Sequence, residues 1–525
     1  MNVSKRFPCL RKLFISLIAC TTLLVTGCGG SGDGGGTGVG TGSTVGGGEA
    51  IPPVQARTLR FPTFSSNSKL TVVANYQTAT ETPNTTGSAT VQISDAINRQ
   101  PLARLLSGSE EGSGVTNRCG YTDIRDLNLL LDYSNVSPRN VSSQIRPRFQ
   151  ELAAGSRENF FIVPAFRDIT GEKVLEPNET LHCTIFAEVI NDQPVLDRQK
   201  ALEIAEAFDS NNPQRTGSGI YDQVRAVFGS EWNQNPPGGN DGDQKVVLFF
   251  FSSQTLGSSL FGYVSPVDGQ PNAGNASNKG EIVYLNADKS NYQILATLSH
   301  EFQHLINQNE KESQQGLFPS DATEENISVN EGLSGLAEEI CGYTFESGNN
   351  LLISVTNDYL EKPERHEFFD FFESGLAYGQ GYLFFKYVRE HFGDQLIRAI
   401  ATDTSTGLQN LDKHLPNGFA ETFRRWTVAN YATNLSGNVP SIYRYPSGFR
   451  TDGTYPAGTL VGVNSSPLLN SQSTQTGSMR PWSASYLSLE NKPGLGLTAI
   501  IIPAAGSPTG ALFESTKDEF TSLDE

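Results

Sequence analysis

Two histidines four residues apart constrain this chain more than any other feature. The segment Leu295-Ala-Thr-Leu-Ser-His300-Glu301-Phe302-Gln303-His304-Leu-Ile-Asn-Gln308 carries apolar residues at helical spacing. On a helix, positions i and i+4 share a face, so both imidazoles can reach one metal ion. Leu295, Leu298, Phe302 and Leu305 then line the opposite side and face a core. Ser290 or Asn291 can cap the start. Glu301 directly follows the first histidine, which aims its carboxylate at water beside the metal rather than at the metal itself. With six histidines in 525 residues, chance rarely supplies such a spacing.

Two histidines are not enough. A hydrolytic zinc site holds three protein ligands and one open position. Glu331 follows His304 after 26 intervening residues, within Val329-Asn-Glu-Gly-Leu-Ser-Gly-Leu-Ala-Glu-Glu-Ile340. Read as a helix, this stretch gathers Leu333, Leu336, Ala337 and Ile340 on an apolar face. Glu331, Ser334 or Gly335, and Glu338 share the other face. Glu331 is then the candidate third ligand beside His300 and His304. Glu338, two turns on, suits a hydrogen bond to a ligand histidine's free N–H. An ordinary acidic helix face is the plainer reading of a glutamate pair, and the need for a third ligand weighs against it.

A chain of 525 residues exceeds one ordinary core, so two or three domains are expected. The net charge of −18 would repel nucleic-acid phosphates, and no nucleic-acid partner is expected. Lys5, Arg6, Arg11 and Lys12 precede an apolar run from Leu13 to Val25, the pattern of a secretory signal peptide. That run is shorter than the ~20 apolar residues needed to span a bilayer. Its end, Val25-Thr-Gly-Cys28, resembles the bacterial lipobox. The resemblance implies removal of residues 1–27 and a lipid on Cys28, the chain's attachment to the membrane. Gly29 lacks the aspartate that retains bacterial lipoproteins at the inner membrane, so an exported lipoprotein of the outer membrane or cell surface is expected.

Residues 28–50 are the acylated cysteine and a tether of mostly Gly, Ser and Thr. Residues 51–195 show short alternating apolar stretches between turn clusters, such as Leu70–Ala74, Ala89–Ile93, Phe160–Val163 and Cys183–Ala187. These predict an N-terminal antiparallel β-sandwich. Cys119 and Cys183 both fall there and are the expected disulfide, which leaves Cys341 a buried thiol. Residues 196–432 open with helical periodicity at Arg198–Phe208 and Ile220–Phe228, continue through two buried strands, Lys245–Phe251 and Gly280–Leu285, and are then mainly helical. Residues 433–525 return to Gly, Ser, Pro and short strands, a small β-rich module. Asn240-Asp-Gly-Asp243 is reminiscent of a Ca2+ loop but lacks its ligand spacing and closing glutamate, and a turn before the strand is the plainer reading.

HEFQH followed by N-E-G-L-S-x-L-A-E resembles the glutamate-ligand zincins (gluzincins), and most closely the hyicolysin-type neutral metallopeptidases. The similarity extends from about Tyr221, through Gly238–Asp243 and Asn278–Asn286, to Gly393. It implies an α+β fold with a zincin-like core and one Zn2+ on His300, His304 and Glu331. It also implies Glu301 as the catalytic base and a polypeptide as the substrate. Ala377-Tyr-Gly-Gln-Gly-Tyr-Leu-Phe-Phe-Lys-Tyr387 resembles the segment that supplies a tyrosine to the tetrahedral intermediate. Tyr378 is the candidate by that alignment and Tyr382 the fallback, with core packing the bland reading. The His-to-Glu interval is wider than in thermolysin, so the geometry of that loop cannot be carried over. The G-x-M-E-N signature of aminopeptidases is absent, which favours an endopeptidase over an aminopeptidase. The strand before the histidine helix, Glu281–Leu285, is expected to form a sheet edge that binds extended peptide. The reading from another class is a surface-binding lipoprotein with a vestigial peptidase core.

Overall fold

The run Val246–Phe251 (VVLFFF) is too short for a buried helix and forms the middle of the central sheet. The structure, a computed structural model, describes residues 57–61, 69–76, 87–95, 102–105, 149–232, 242–268, 277–311, 324–369, 378–435, 439–463, 466–467, 473–490, 497–503 and 508–515. The expected signal peptide, Cys28 and its tether lie outside these residues.

The architecture is mixed α+β. The central sheet runs Gly262–Val264, Ile282–Asn286, Val246–Phe251, Cys183–Ile190, Arg167–Lys173 and Arg157–Ile162, with Gln193–Pro194 paired to Cys183–Ile190. Its three middle strands are parallel and its flanking strands antiparallel. Alternation along the buried strands sends side chains into two cores. Val246, Leu248, Phe250, Val283 and Leu285 join the helical core with Leu298 and Phe302. Val247, Phe249, Phe251, Ile282 and Tyr284 join a second core with Phe149, Phe160 and Tyr263. Burying each such side chain contributes about 1.5–3 kcal/mol, so this sheet is the fixed frame on which the helices sit.

Asn291–Lys311 packs on that frame, and Ile327–Ile340 packs on Asn291–Lys311. Tyr378–Phe392 crosses the second. The crossing is close because glycines meet there: a β-carbon on Gly332 would lie 2.8 Å from the Gly381 carbonyl carbon. The expected amphipathic character holds only in part. Asn291–Lys311 buries its polar residues as well as its apolar ones, from Ile294 onward. Among the described residues no helix is long and apolar enough to cross a membrane.

The division into separate N-terminal and C-terminal β modules is corrected by the strand pairing. Arg157–Ile162, Arg167–Lys173 and Cys183–Ile190, expected in the N-terminal sandwich, belong to the central sheet. The earlier strands pair with the chain's far end. One sheet orders Arg57–Phe61, Leu497–Pro503, Gly87–Asp95, Ser473–Met479 and Leu102–Leu105; another orders Ser466–Pro467, Ser483–Glu490, Lys69–Tyr76 and Pro508–Ser515. Val73 lies opposite both Tyr486 and Ala511. Strands from the two ends of the chain thus pair with one another within both sheets. Val73, Ala484 and Tyr486 then pack on Val428, Tyr431 and Ala432 of Gly418–Ala432.

Two further expectations change. Cys183 is a buried free thiol at the start of a central strand, so the Cys119–Cys183 disulfide is not formed; Cys119 lies outside the described residues. Cys341 is buried and free. The sheet edge nearest the histidine helix is Gly262–Val264, because Ile282–Asn286 is paired on both sides.

Candidate metal centre

Ser290 starts the histidine helix. Its hydroxyl accepts from the Gln293 N–H at 3.3 Å while the Gln293 side chain accepts from the Ser290 N–H at 3.3 Å. Asn326 caps the glutamate helix through the Ser328 N–H at 3.0 Å. The two helices pack directly on one another, with their buried polar faces meeting.

His300, His304 and Glu331 converge there. One Glu331 oxygen lies 3.1 Å from His300 Nε2 and 3.3 Å from His304 Nε2. The three donor atoms fall within 4.8 Å of one another, all three residues are buried, and the group could hold a metal ion. Among the described residues no other such group occurs, and Asp243 of the Ca2+-like segment instead accepts from the N–H groups of Gln150 (2.8 Å) and Lys245 (3.1 Å).

The outward ring nitrogens supply the fit test. His300 Nδ1 donates to Glu338 Oε1 at 2.9 Å, and Glu338 Oε2 accepts from Asn349 Nδ2 at 2.8 Å. His304 Nδ1 has Asn330 Oδ1 and Ser334 Oγ at 3.1 Å each. The Ser334 hydroxyl is itself spent on Gln303 Oε1, so its oxygen serves the imidazole as an acceptor. Acceptors at both Nδ1 atoms place protons there and turn both Nε2 atoms towards Glu331, where a bound cation would meet them. Two imidazoles and a carboxylate match the donor set of a divalent zinc-type metal.

Electrostatics agree with the geometry. Burial would lower the His300 pKa, but hydrogen bonds to Glu331 and Glu338 outweigh it and raise it to about 9. Burial would raise Glu331, but the two histidines hold it well below the usual carboxylate range. The centre thus draws positive charge to the point where the donors meet.

Glu301 is buried beside the edge strand: a β-carbon on Gly262 would lie 3.1 Å from Glu301 Cγ and 2.9 Å from the Tyr284 carbonyl oxygen. Only glycine lets that strand approach so closely. Tyr378 is buried at the first position of its helix. The fallback, Tyr382, is removed: its hydroxyl donates to Glu339, which also binds Lys386 Nζ at 3.1 Å.

Sequence reasoning placed Glu338 but missed Asn349, Gln303 and the assignment of Asn330 to His304. Asn330 had a signal, standing directly before Glu331; Asn349 had none, because it acts from a loop end. The chain matches no family model and no curated protein.

Proposed function

We propose that the protein is a zinc-dependent endopeptidase, exported as a lipoprotein, that hydrolyses extracellular or periplasmic polypeptides. The observation that carries this reading is the convergence of two Nε2 atoms and one Glu331 oxygen, with both Nδ1 atoms engaged behind them. Zinc bound there supplies Lewis acidity, lowering the pKa of water to ~7 and polarising a scissile carbonyl. Glu301 takes the proton from water as general base and passes it to the departing amine. Glu338 and Asn330 hold the imidazoles in the tautomer that presents Nε2. Tyr378 donates to the oxyanion. Gly262–Val264, the end strand of the central sheet, runs its backbone past Glu301. Cys28 carries the lipid and residues 29–50 the tether, which places the enzyme at the outer membrane or cell surface.

The test joins metal analysis to proteolysis. Purified protein should hold one zinc per chain and cleave casein and amino-blocked peptides, with both properties lost to a chelator and restored by zinc. Cleavage confined to peptides with free amino termini would make it an aminopeptidase. Bound zinc without any cleavage would leave a surface-binding lipoprotein with a vestigial core.

A further inference from the structure

The facing ends of the two ligand helices, Asn291–Lys311 and Ile327–Ile340, are joined by a buried ion pair. Lys311 is the last residue of the histidine helix, and Glu325 stands just before the glutamate helix. Lys311 Nζ lies 3.0 Å from Glu325 Oε2, with both side chains fully buried. The ammonium also donates to the carbonyls of Ile400 (3.0 Å), Asp403 (2.6 Å) and Ser405 (3.0 Å). Glu325 Oε1 accepts from the N–H groups of Asn326 (2.9 Å) and Gly407 (2.7 Å).

Burying such a pair costs desolvation, and an apolar pair of similar volume would stabilise a core as well or better. What a buried pair with fixed hydrogen bonds adds is register. Metal ligands must be held to within about 0.5 Å, and a long connection alone cannot hold them so closely. Lys311 ends the histidine helix and Glu325 precedes the glutamate helix, so their pair fixes the register of the two facing ends directly. It also ties both ends to the 400–407 backbone.

We propose that Lys311–Glu325 is a positioning pair that sets Glu331 against His300 and His304, so that the metal geometry does not depend on the intervening segment. This rests on the zinc reading above. Neither residue touches the metal. The pair acts through the placement of the helix that carries the third ligand.

The experiment is a double-mutant cycle read as zinc dissociation constants, by competition with a chromogenic chelator, on the full-length chain. One change inserts six Gly/Ser residues between Gln315 and Gly316, and the other is Glu325→Gln. The insertion alone should weaken zinc by less than about threefold, because loop closure depends only slowly on length. Glu325→Gln alone should weaken it about tenfold. Together they should weaken it far more than the product of the two, because the longer connection then depends on the pair that has been removed. Multiplicative effects, or a Glu325→Gln protein with wild-type zinc affinity, would overturn the proposal. Should Glu325→Gln fail to fold, Lys311→Met with Glu325→Leu replaces it in the cycle, judged by the same coupling. A wild-type chain that binds no zinc would refute the metal reading instead, a result distinct from either of these.

Discussion

The same two helices bury charge at two places, and the two places are built differently. At the helix ends, Lys311 and Glu325 form a joint: an ammonium meets a carboxylate, and backbone groups take their remaining hydrogen bonds. At mid-helix, Glu331 pairs with the imidazoles of His300 and His304, and Glu338 stands behind the first of them. The joint carries its own cation. The centre is compensated only when a proton or a metal enters it, and the raised His300 is the proton doing so. Buried charge closed on itself is architecture. Buried charge that converges on imidazole nitrogens is a site.

Substitutions should separate these two kinds of place, beginning with the largest effect. Glu331→Ala should abolish stoichiometric zinc and all proteolysis; full metal occupancy in that variant would move the third ligand elsewhere. Glu301→Gln should keep its zinc yet lose about a thousandfold in kcat. Persistent casein cleavage by that variant would refute the assigned base. Glu338→Gln and Asn330→Ala, which remove the carboxylate and the amide behind the ligand rings, should each weaken zinc about 10- to 100-fold. Unchanged affinity in both would show that the imidazoles need no such support.

The smallest expected effect concerns one further buried histidine, His366. His366 has its ring beside Tyr359 and hydrogen-bonds the Asp358 carbonyl at 3.2 Å; burial pushes its pKa down to about 4. Its folded value lies below the unfolded one of ~6.5, so the unfolded chain binds more protons between them. Stability from a neutral His366 is therefore fully present above pH ~6.5 and is lost as pH falls towards 4. Chelated wild-type protein should show a falling Tm across that range, and His366→Gln should flatten the slope. An unaltered slope in that variant would assign the acid sensitivity to other groups.

What the sequence revealed followed the range of the interactions. The i, i+4 histidines, the strand Val246–Phe251 and the helix Ile220–Phe228 are local patterns, and each was legible from its own residues. Glu331 was legible by chemical need, because two histidines left a ligand missing. Strand partners were not legible. Nothing near Lys69–Tyr76 announces that Ser483–Glu490 and Pro508–Ser515 will flank it, since alternation fixes a face and not a neighbour. The same limit hid which strand forms the edge and led to a disulfide at Cys183, which packs instead as an apolar core residue. Asn349 and Gln303 were hidden because a hydrogen bond behind a ligand requires only one polar atom, with no periodicity to mark it.

The most direct measurement is anomalous scattering from crystals of the zinc-loaded protein, collected on both sides of the zinc absorption edge. The account predicts one strong peak about 2.0–2.2 Å from His300 Nε2, His304 Nε2 and a Glu331 oxygen. A peak ligated by other residues, or no peak from protein prepared with zinc, would contradict it.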